Sequence, residues 1–217
     1  MAASSSGKSI LIALAVILIQ VLAVLVFIPS SWITNAQRLE IQWLEAVHSD
    51  ATVRWIAENT YAFYRTAVID TGLADGLRWM FLPDHYGSGK AGAGMDQVGM
   101  EFWFPYLEGR GEALADIAHL VIFRLVGLAI WVPLFVIVLF PSLVDGLMER
   151  MIKRHGFRYP SPLAHRLGLQ MSIGVVFVLI IAMLLPLPIP PLILPVLVAT
   201  AISLFGVLVI GNLPKKL

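Results

Sequence analysis

The order of apolar and polar positions divides this chain into four long apolar runs set between polar stretches of different character. Residues 10–28 (ILIALAVILIQVLAVLVFI) hold Gln20 as their single polar member. At about 1.5 Å of rise per residue, such a helix crosses a hydrocarbon core of about 30 Å. The run is longer than the roughly 7–15 residues of a signal-peptide core and no compact small-x-small cleavage site follows it. It therefore reads as an uncleaved anchor. Further runs cover residues 117–140, 169–187 and 192–210. Five prolines within residues 186–195 force a turn between the last two and leave no room for a loop, so these runs form a tight hairpin. Pro133 is expected to kink the second run.

Residues 29–116 carry a helical period instead. Leu39, Trp43, Leu44 and Val47 form one apolar stripe, and Val53, Ile56, Ala57, Tyr61, Tyr64 and Val68 a second. Ser49-Asp50 is a helix start between them and Thr71-Gly72 a stop, which predicts a helical hairpin over the membrane surface. The segment GSGKAGAG, residues 87–94, formally contains G-x-G-x-x-G. No strand precedes it, and Lys90-Ala91 departs from the G-K-[ST] of a phosphate-binding loop, so it reads as a loop tip. The aromatics of FWFPYLEGR that follow suit a membrane interface.

Residues 141–168 connect the second and third runs. On a helical wheel, Leu143, Val144, Leu147, Met148, Met151 and Ile152 take one half, while Ser142, Asp145, Glu149, Arg150, Lys153 and Arg154 take the other. Glu149 precedes Lys153 by four residues, the favourable order for a helical ion pair, and Gly156 offers a stop with basic residues before it. Beyond it, Tyr159-Pro160-Ser161-Pro162 resists helix, because each proline disfavours the helical region for the residue before it. The reading is a basic amphipathic helix, one face free to meet the bilayer or a partner.

Composition fixes the class. Hydrophobic residues make up 59% and charged residues 13% of the 217, against roughly 25% charged in soluble domains: this is an integral membrane protein with no room for a separate large catalytic domain. Charge fixes the orientation. Lys8, Arg150, Lys153, Arg154, Arg158, Arg166, Lys215 and Lys216 flank the runs on one side, which the positive-inside rule makes cytoplasmic. Residues 29–116, with twelve acidic against six basic residues, then lie outside. The expected fold is thus an all-α membrane protein. Its cytoplasmic N-terminus (1–9), first span (10–28), acidic periplasmic helical region (29–116) and second span (117–140) precede the basic cytoplasmic connector (141–168). The third span (169–187), the fourth (192–210) and a cytoplasmic tail (211–217) complete it.

Candidate chemistry is sparse. Arg124 stands seven residues into the second run, where an arginine must snorkel to the outer surface or meet a partner; Asp116, His119 through water, or Gln20 from another helix are the partners in view. The histidines His48, His85, His119, His155 and His165 show no metal-ligand spacing, cysteine is absent, and neither a G-x-S-x-G nor an ATP-binding motif occurs. No catalytic residue, metal or cofactor is expected. Direct nucleic-acid binding is not expected either, since Phe157 and Tyr159 are the connector's only aromatics for stacking. Anionic lipid at the inner leaflet is an expected contact of the connector, and self-association is left open.

The run FPSLVDGLMERMIKRHGF, then YPSPLAHRL, then a Pro-interrupted apolar hairpin closing with NLPK, resembles a family of small inner-membrane proteins encoded by integrating conjugative elements and large conjugative plasmids, the TraJ-like membrane protein of those plasmids among them. The resemblance covers roughly residues 118–217; the outer region matches in layout, with LEGR at 107–110 its most suggestive piece. It implies a non-enzymatic accessory role in conjugation and type IV secretion, beside the TraD- or TraG-type coupling ATPase that feeds DNA into the channel. It carries over to Val144, Asp145, Gly146, Arg150, Gly156, Phe157, Ser161 and Pro162 as contacts. With the connector's charge, the candidate contact set is Asp145, Arg150, Lys153, Arg154, Phe157, Arg158 and Arg166. A rival reading from the residues alone is a small polytopic transporter or channel subunit with a polar path at Arg124 and Gln20.

Overall fold

The computed structural model describes residues 3–73, 76, 103–156 and 161–212. Every regular element among the described residues is a helix: α1 (Ala3–Phe27), α2 (Ser30–Val47), α3 (Asp50–Tyr64, continued by a wider π turn over Arg65–Ile69), α4 (Phe104–Ala129), α5 (Val132–His155), α6 (Pro162–Leu184) and α7 (Ile193–Leu204, continued by a π turn over Phe205–Ile210). Three of these, α5, α6 from Leu163, and α7 with its continuation to Ile210, are long and apolar enough to cross a membrane. The glycine-rich segment 87–94 lies outside the described residues.

The boundaries follow local chemistry. Ser49 caps α3, its hydroxyl accepting from the Thr52 amide. Past the end of α3, Gly72 takes φ +70°, a left-handed conformation that favours glycine. Ser161 accepts from the Ala164 amide and Pro162 opens α6, where its missing N–H is no loss. Between α4 and α5 the chain turns at Ile130 and Trp131. Pro133 is the cause: it has no amide hydrogen for the carbonyl four residues back and crowds that carbonyl, so it is accommodated only in the first turn of a new helix. The expected second span at 117–140 is therefore divided between two helices. The second of them runs without interruption through Pro141 into the connector, ending at Gly156.

The chain forms two compact units. In the first, Met1–Val126 with Leu184–Pro188, helices α1, α2 and α4 meet around Val24, Ile33, Ala113, Ile117 and Leu120. The end of α1 is held by α4: Tyr106 donates its hydroxyl to the Val26 carbonyl, and Arg110, stacked on the Tyr106 ring, donates to that of Ile28. These are carbonyls that a helix C-terminus leaves without intrahelical donors. The face of α2 turned inward is Ile33, Ala36, Glu40 and Leu44; of the predicted stripe only Leu44 belongs to it, while Leu39, Trp43 and Val47 are exposed. Both stripes have helical spacing, and the packed one is the one that includes a carboxylate.

In the second unit, Gly127–Met183 with Ile189–Leu217, α5 crosses α7 at small residues. A Cβ on Gly206 would stand 2.6 Å from the Ser142 carbonyl oxygen, and one on Gly146 would collide with the carbonyl of Gly206. The Ser142 hydroxyl donates to the Ser203 carbonyl at the same crossing. Gly168 lets α6 approach Leu208 in the same way. Small residues at the contacts and large apolar residues outside are the arrangement expected of helices packed in lipid.

Candidate functional site

Arg124 is a buried, fully engaged charge of the first unit. Its Nε lies 3.2 Å from each Glu40 carboxylate oxygen, and Nη2 reaches the same carboxylate. Nη1 donates to the Leu185 carbonyl at 2.8 Å and Nη2 to that of Leu187 at 2.7 Å. Between them the Pro186 carbonyl accepts from the Trp32 indole at 2.9 Å. Three successive carbonyls at the end of α6 are thus held by two side chains. Proline favours this turn but brings no amide hydrogens to it, so its carbonyls need donors from elsewhere. The side chains of Arg124 and Glu40 are 1% and 4% exposed. Burial of this order is tolerable only because the guanidinium is paired and its remaining N–H groups are used.

Neither Asp116 nor His119 is the partner that sequence distance offered. Asp116 accepts from the Ser30 hydroxyl, and the His119 ring pairs with the Gln37 amide at 2.9 Å and meets Tyr64 edge-on. Burial, with the Asp116 carboxylate adding to it, holds the Tyr64 hydroxyl above its ordinary pKa, so it stays protonated. Ser30, Gln37 and Glu40 meet Asp116, His119 and Arg124 in the same order, so α2 runs parallel to α4. Glu40 was the functional residue missed in sequence; its signal was there, since 33, 36, 40 and 44 share one helical face on which it is the single charge. Gln20 is partly buried on α1 and is also engaged.

The second unit sorts the connector's charges. Lys153 turns inward: its ammonium binds Asn212 Oδ1 at 2.7 Å, the Gly211 carbonyl at 3.2 Å and Glu149 at 2.7 Å, closing the end of the π turn after α7. Ser142, Gly146, Glu149 and Lys153 repeat at helical spacing and form the packed face of α5; Ser142, Glu149 and Lys153 come from the polar half of the predicted wheel, whereas Asp145 and Arg154 of that half are exposed. Outward lie Val144, Asp145, Leu147, Met148, Met151, Ile152 and Arg154. The helix is inside-out relative to a soluble one, with small and polar residues within and apolar residues without. Arg150 is partly buried, Arg166 on α6 is exposed, and Phe157 and Arg158 lie outside the described residues. His165, one residue before Arg166, reaches the Val209 carbonyl.

The division of labour between Lys153 and Arg154 has a measurable consequence. Lys153→Ala removes a charge-assisted contact set to otherwise unpaired groups and should lower stability by about 1.5–3 kcal/mol. Arg154→Ala, on the exposed face, should stay within about 0.5 kcal/mol of the parent. Thermal unfolding of the two variants in detergent micelles checks this; equal melting would remove the clamp.

Comparison with curated proteins finds no match, nor does comparison with solved structures. The family model for the IncC plasmid conjugative DNA transfer protein DtrJ-like, by contrast, matches residues 33–213, a span that takes in the Glu40–Arg124 lock, the glycine crossing and the Lys153 clamp together. The matched span runs from α2 to the end of the π turn after α7, and the chain belongs to the DtrJ-like family of conjugative DNA transfer proteins.

Proposed function

We propose that this protein is a non-enzymatic, multi-pass accessory of conjugative DNA transfer in the bacterial inner membrane. On this reading it associates with the TraD- or TraG-type coupling ATPase of a type IV secretion system, as the TraJ-like resemblance implies. It crosses the membrane four times, α1 joining the three span-length helices, with both termini cytoplasmic and α2–α3 on the periplasmic side. The motor's ATP chemistry stays with the partner.

The observation that carries the proposal is the outward face of α5. Met148, Met151 and Ile152 are 50–62% exposed beside Arg154, whereas Ser142, Glu149 and Lys153 of the same helix are spent on internal contacts. An apolar face with a basic end suits a membrane-embedded partner whose cytoplasmic edge is acidic. Because Lys153 points inward, the described residues of the connector offer no continuous row of cations to a nucleic-acid backbone, which favours a protein or lipid contact over DNA. The polar-path alternative draws little support from Arg124, whose guanidinium is held by a carboxylate and two carbonyls.

Photocrosslinking tests the proposal. A benzophenone amino acid placed at Met148 or Met151 of the full chain, in cells carrying the conjugative machinery, should capture the coupling ATPase as its main protein product. Capture of lipid alone, or of copies of this chain alone, would make the face an anchor or an oligomer contact and overturn the docking assignment.

A further inference from the structure

Beyond the site on α5, the structure places a second apolar surface on α2. At about 100° per residue, Trp32, Leu39, Trp43 and Val47 fall on one strip, and all four are exposed, at 36–55%. The strip adjoins the packed face of the same helix; Trp32 spends its indole N–H on the Pro186 carbonyl, and the apolar bodies of all four side chains stay open. The opposite side carries Thr34, Arg38, Gln42 and Glu45, all exposed. The helix thus has a packed face, an open apolar face and a polar face.

What the open face meets is indicated by the α6–α7 turn. Helices α6 and α7 are both long and apolar enough to cross a bilayer, so the residues that join them lie at a membrane face. Two positions of α2 reach that turn. Trp32 donates to the Pro186 carbonyl, and Glu40 holds Arg124 on the carbonyls of Leu185 and Leu187. Eight residues of helix span about 12 Å, so α2 passes across the turn instead of ending on it. On the wheel, Trp32 and Glu40 mark the direction of the turn, and Leu39, Trp43 and Val47 fall within about 60° of one or the other. The strip therefore points to the side on which the turn, and the membrane face with it, lies. The polar residues point away.

We infer that α2 is an interfacial helix: its Trp32–Leu39–Trp43–Val47 strip lies in the headgroup region of the bilayer, with Arg38, Gln42 and Glu45 in water. Indole rings are well matched to that depth, with an apolar body and one N–H donor, and an amphipathic helix of this kind binds through its buried apolar area. The lock between Glu40 and Arg124 sets its rotation. The inference rests on α6 and α7 being spans, and is independent of which protein α5 contacts.

The absence of cysteine from the chain permits a direct test. Single variants Leu39→Cys, Val47→Cys, Arg38→Cys, Gln42→Cys and, within α6, Val178→Cys are spin-labelled. The full chain is then reconstituted at high lipid-to-protein ratio in phosphatidylcholine–phosphatidylglycerol vesicles, and relaxation by oxygen is compared with relaxation by a water-soluble nickel chelate. Oxygen should dominate several-fold at 39, 47 and 178, and the chelate at 38 and 42. Chelate dominance at 39 and 47 while 178 stays oxygen-dominated would overturn the interfacial helix and leave the span reading intact. Chelate dominance at 178 would overturn both. Protection of 39 and 47 from both agents would show that a second copy covers the strip, and would equally overturn the inference. Two labelled positions on the strip guard against a single variant that fails to fold, and wild-type elution in detergent identifies those that do.

Discussion

Arg124→Leu should prevent the protein from accumulating in the membrane. The substitution leaves the Glu40 carboxylate, 4% exposed, without its counter-charge, and breaking a buried ion pair from one side costs about 3–5 kcal/mol. It also strips donors from the Leu185 and Leu187 carbonyls, which are only partly buried, so each adds less than the about 1–3 kcal/mol of a fully buried group left unsatisfied. Against a typical stability of about 5–15 kcal/mol, the loss is a large share of the total. Glu40→Leu alone should be severe for the reciprocal reason. The double variant Glu40→Leu/Arg124→Leu should recover part of the loss, since no unpaired charge remains, but not all of it, since the carbonyls stay open. Arg124→Lys should fall between, because a lysine carries the charge but cannot serve a carboxylate and two carbonyls in the fork geometry used here. Protein levels in membranes and thermal unfolding in detergent read these differences, and the double-mutant cycle gives the coupling directly. If Arg124→Leu melts with the parent and loses only a transport activity, Arg124 is part of a path and the lock is incidental.

The lock also shows what could be read from the chain and what could not. The apolar character, the helix start at Ser49, the stop at Thr71-Gly72 and the stop at Gly156 were legible because each depends on residues within a few positions of one another; the start of α6 was not, since the Pro-rich stretch reads as extended and the third span as starting at 169, whereas the helix already opens at Pro162. The conjugative resemblance was legible in the motif around LVDGL. The partner of Arg124 was not, because Glu40 is 84 positions away and the nearer acid, Asp116, is taken by Ser30. Which of two helical stripes on α2 packs inward was likewise undetermined by periodicity, since an apolar strip facing membrane and one facing a core have the same spacing. For α5 the wheel separated Ser142, Glu149 and Lys153, which pack, from Val144, Leu147, Met148, Met151 and Ile152, which are exposed, but it put the exposed Asp145 and Arg154 with the packing residues; which side packs depends on the solvent, since in water apolar residues pack, whereas in lipid small and polar ones do. Glycines at 146 and 206 carried that information, and a wheel that scores only hydrophobicity passes over them.

Gly146→Ala and Gly206→Ala should each loosen the second unit far more than a single methyl group ordinarily would. At Gly206 the new carbon would stand 2.6 Å from the Ser142 carbonyl oxygen and 2.8 Å from the Ser142 Cβ; at Gly146 it would fall on the Gly206 carbonyl with Ile210 Cβ 3.1 Å away. The obstacles are backbone atoms of the facing helix, so no side chain can rotate aside and the helices themselves must part. Overpacking of this kind costs about 1–3 kcal/mol, occasionally more. Within lipid, little drives parted helices back together, because the tails solvate the exposed apolar surface as well as the partner did. Gly174→Ala on α6 is the control: nothing lies within 4 Å of its Cβ position, and alanine there should stabilise the helix by roughly 0.5–1 kcal/mol. Thermal melting in detergent should therefore order the three as Gly174→Ala above the parent, with Gly146→Ala and Gly206→Ala well below it. Parting α5 from α7 also pulls Lys153 from Asn212 and the Gly211 carbonyl, and frees α5 to turn its Met148 and Met151 face away from its present direction. Crosslinking from those positions should fall in the same two glycine variants while Gly174→Ala retains it. Gly146→Ala melting alongside Gly174→Ala would mean that the close crossing does not hold α5, and its outward face would then need another explanation.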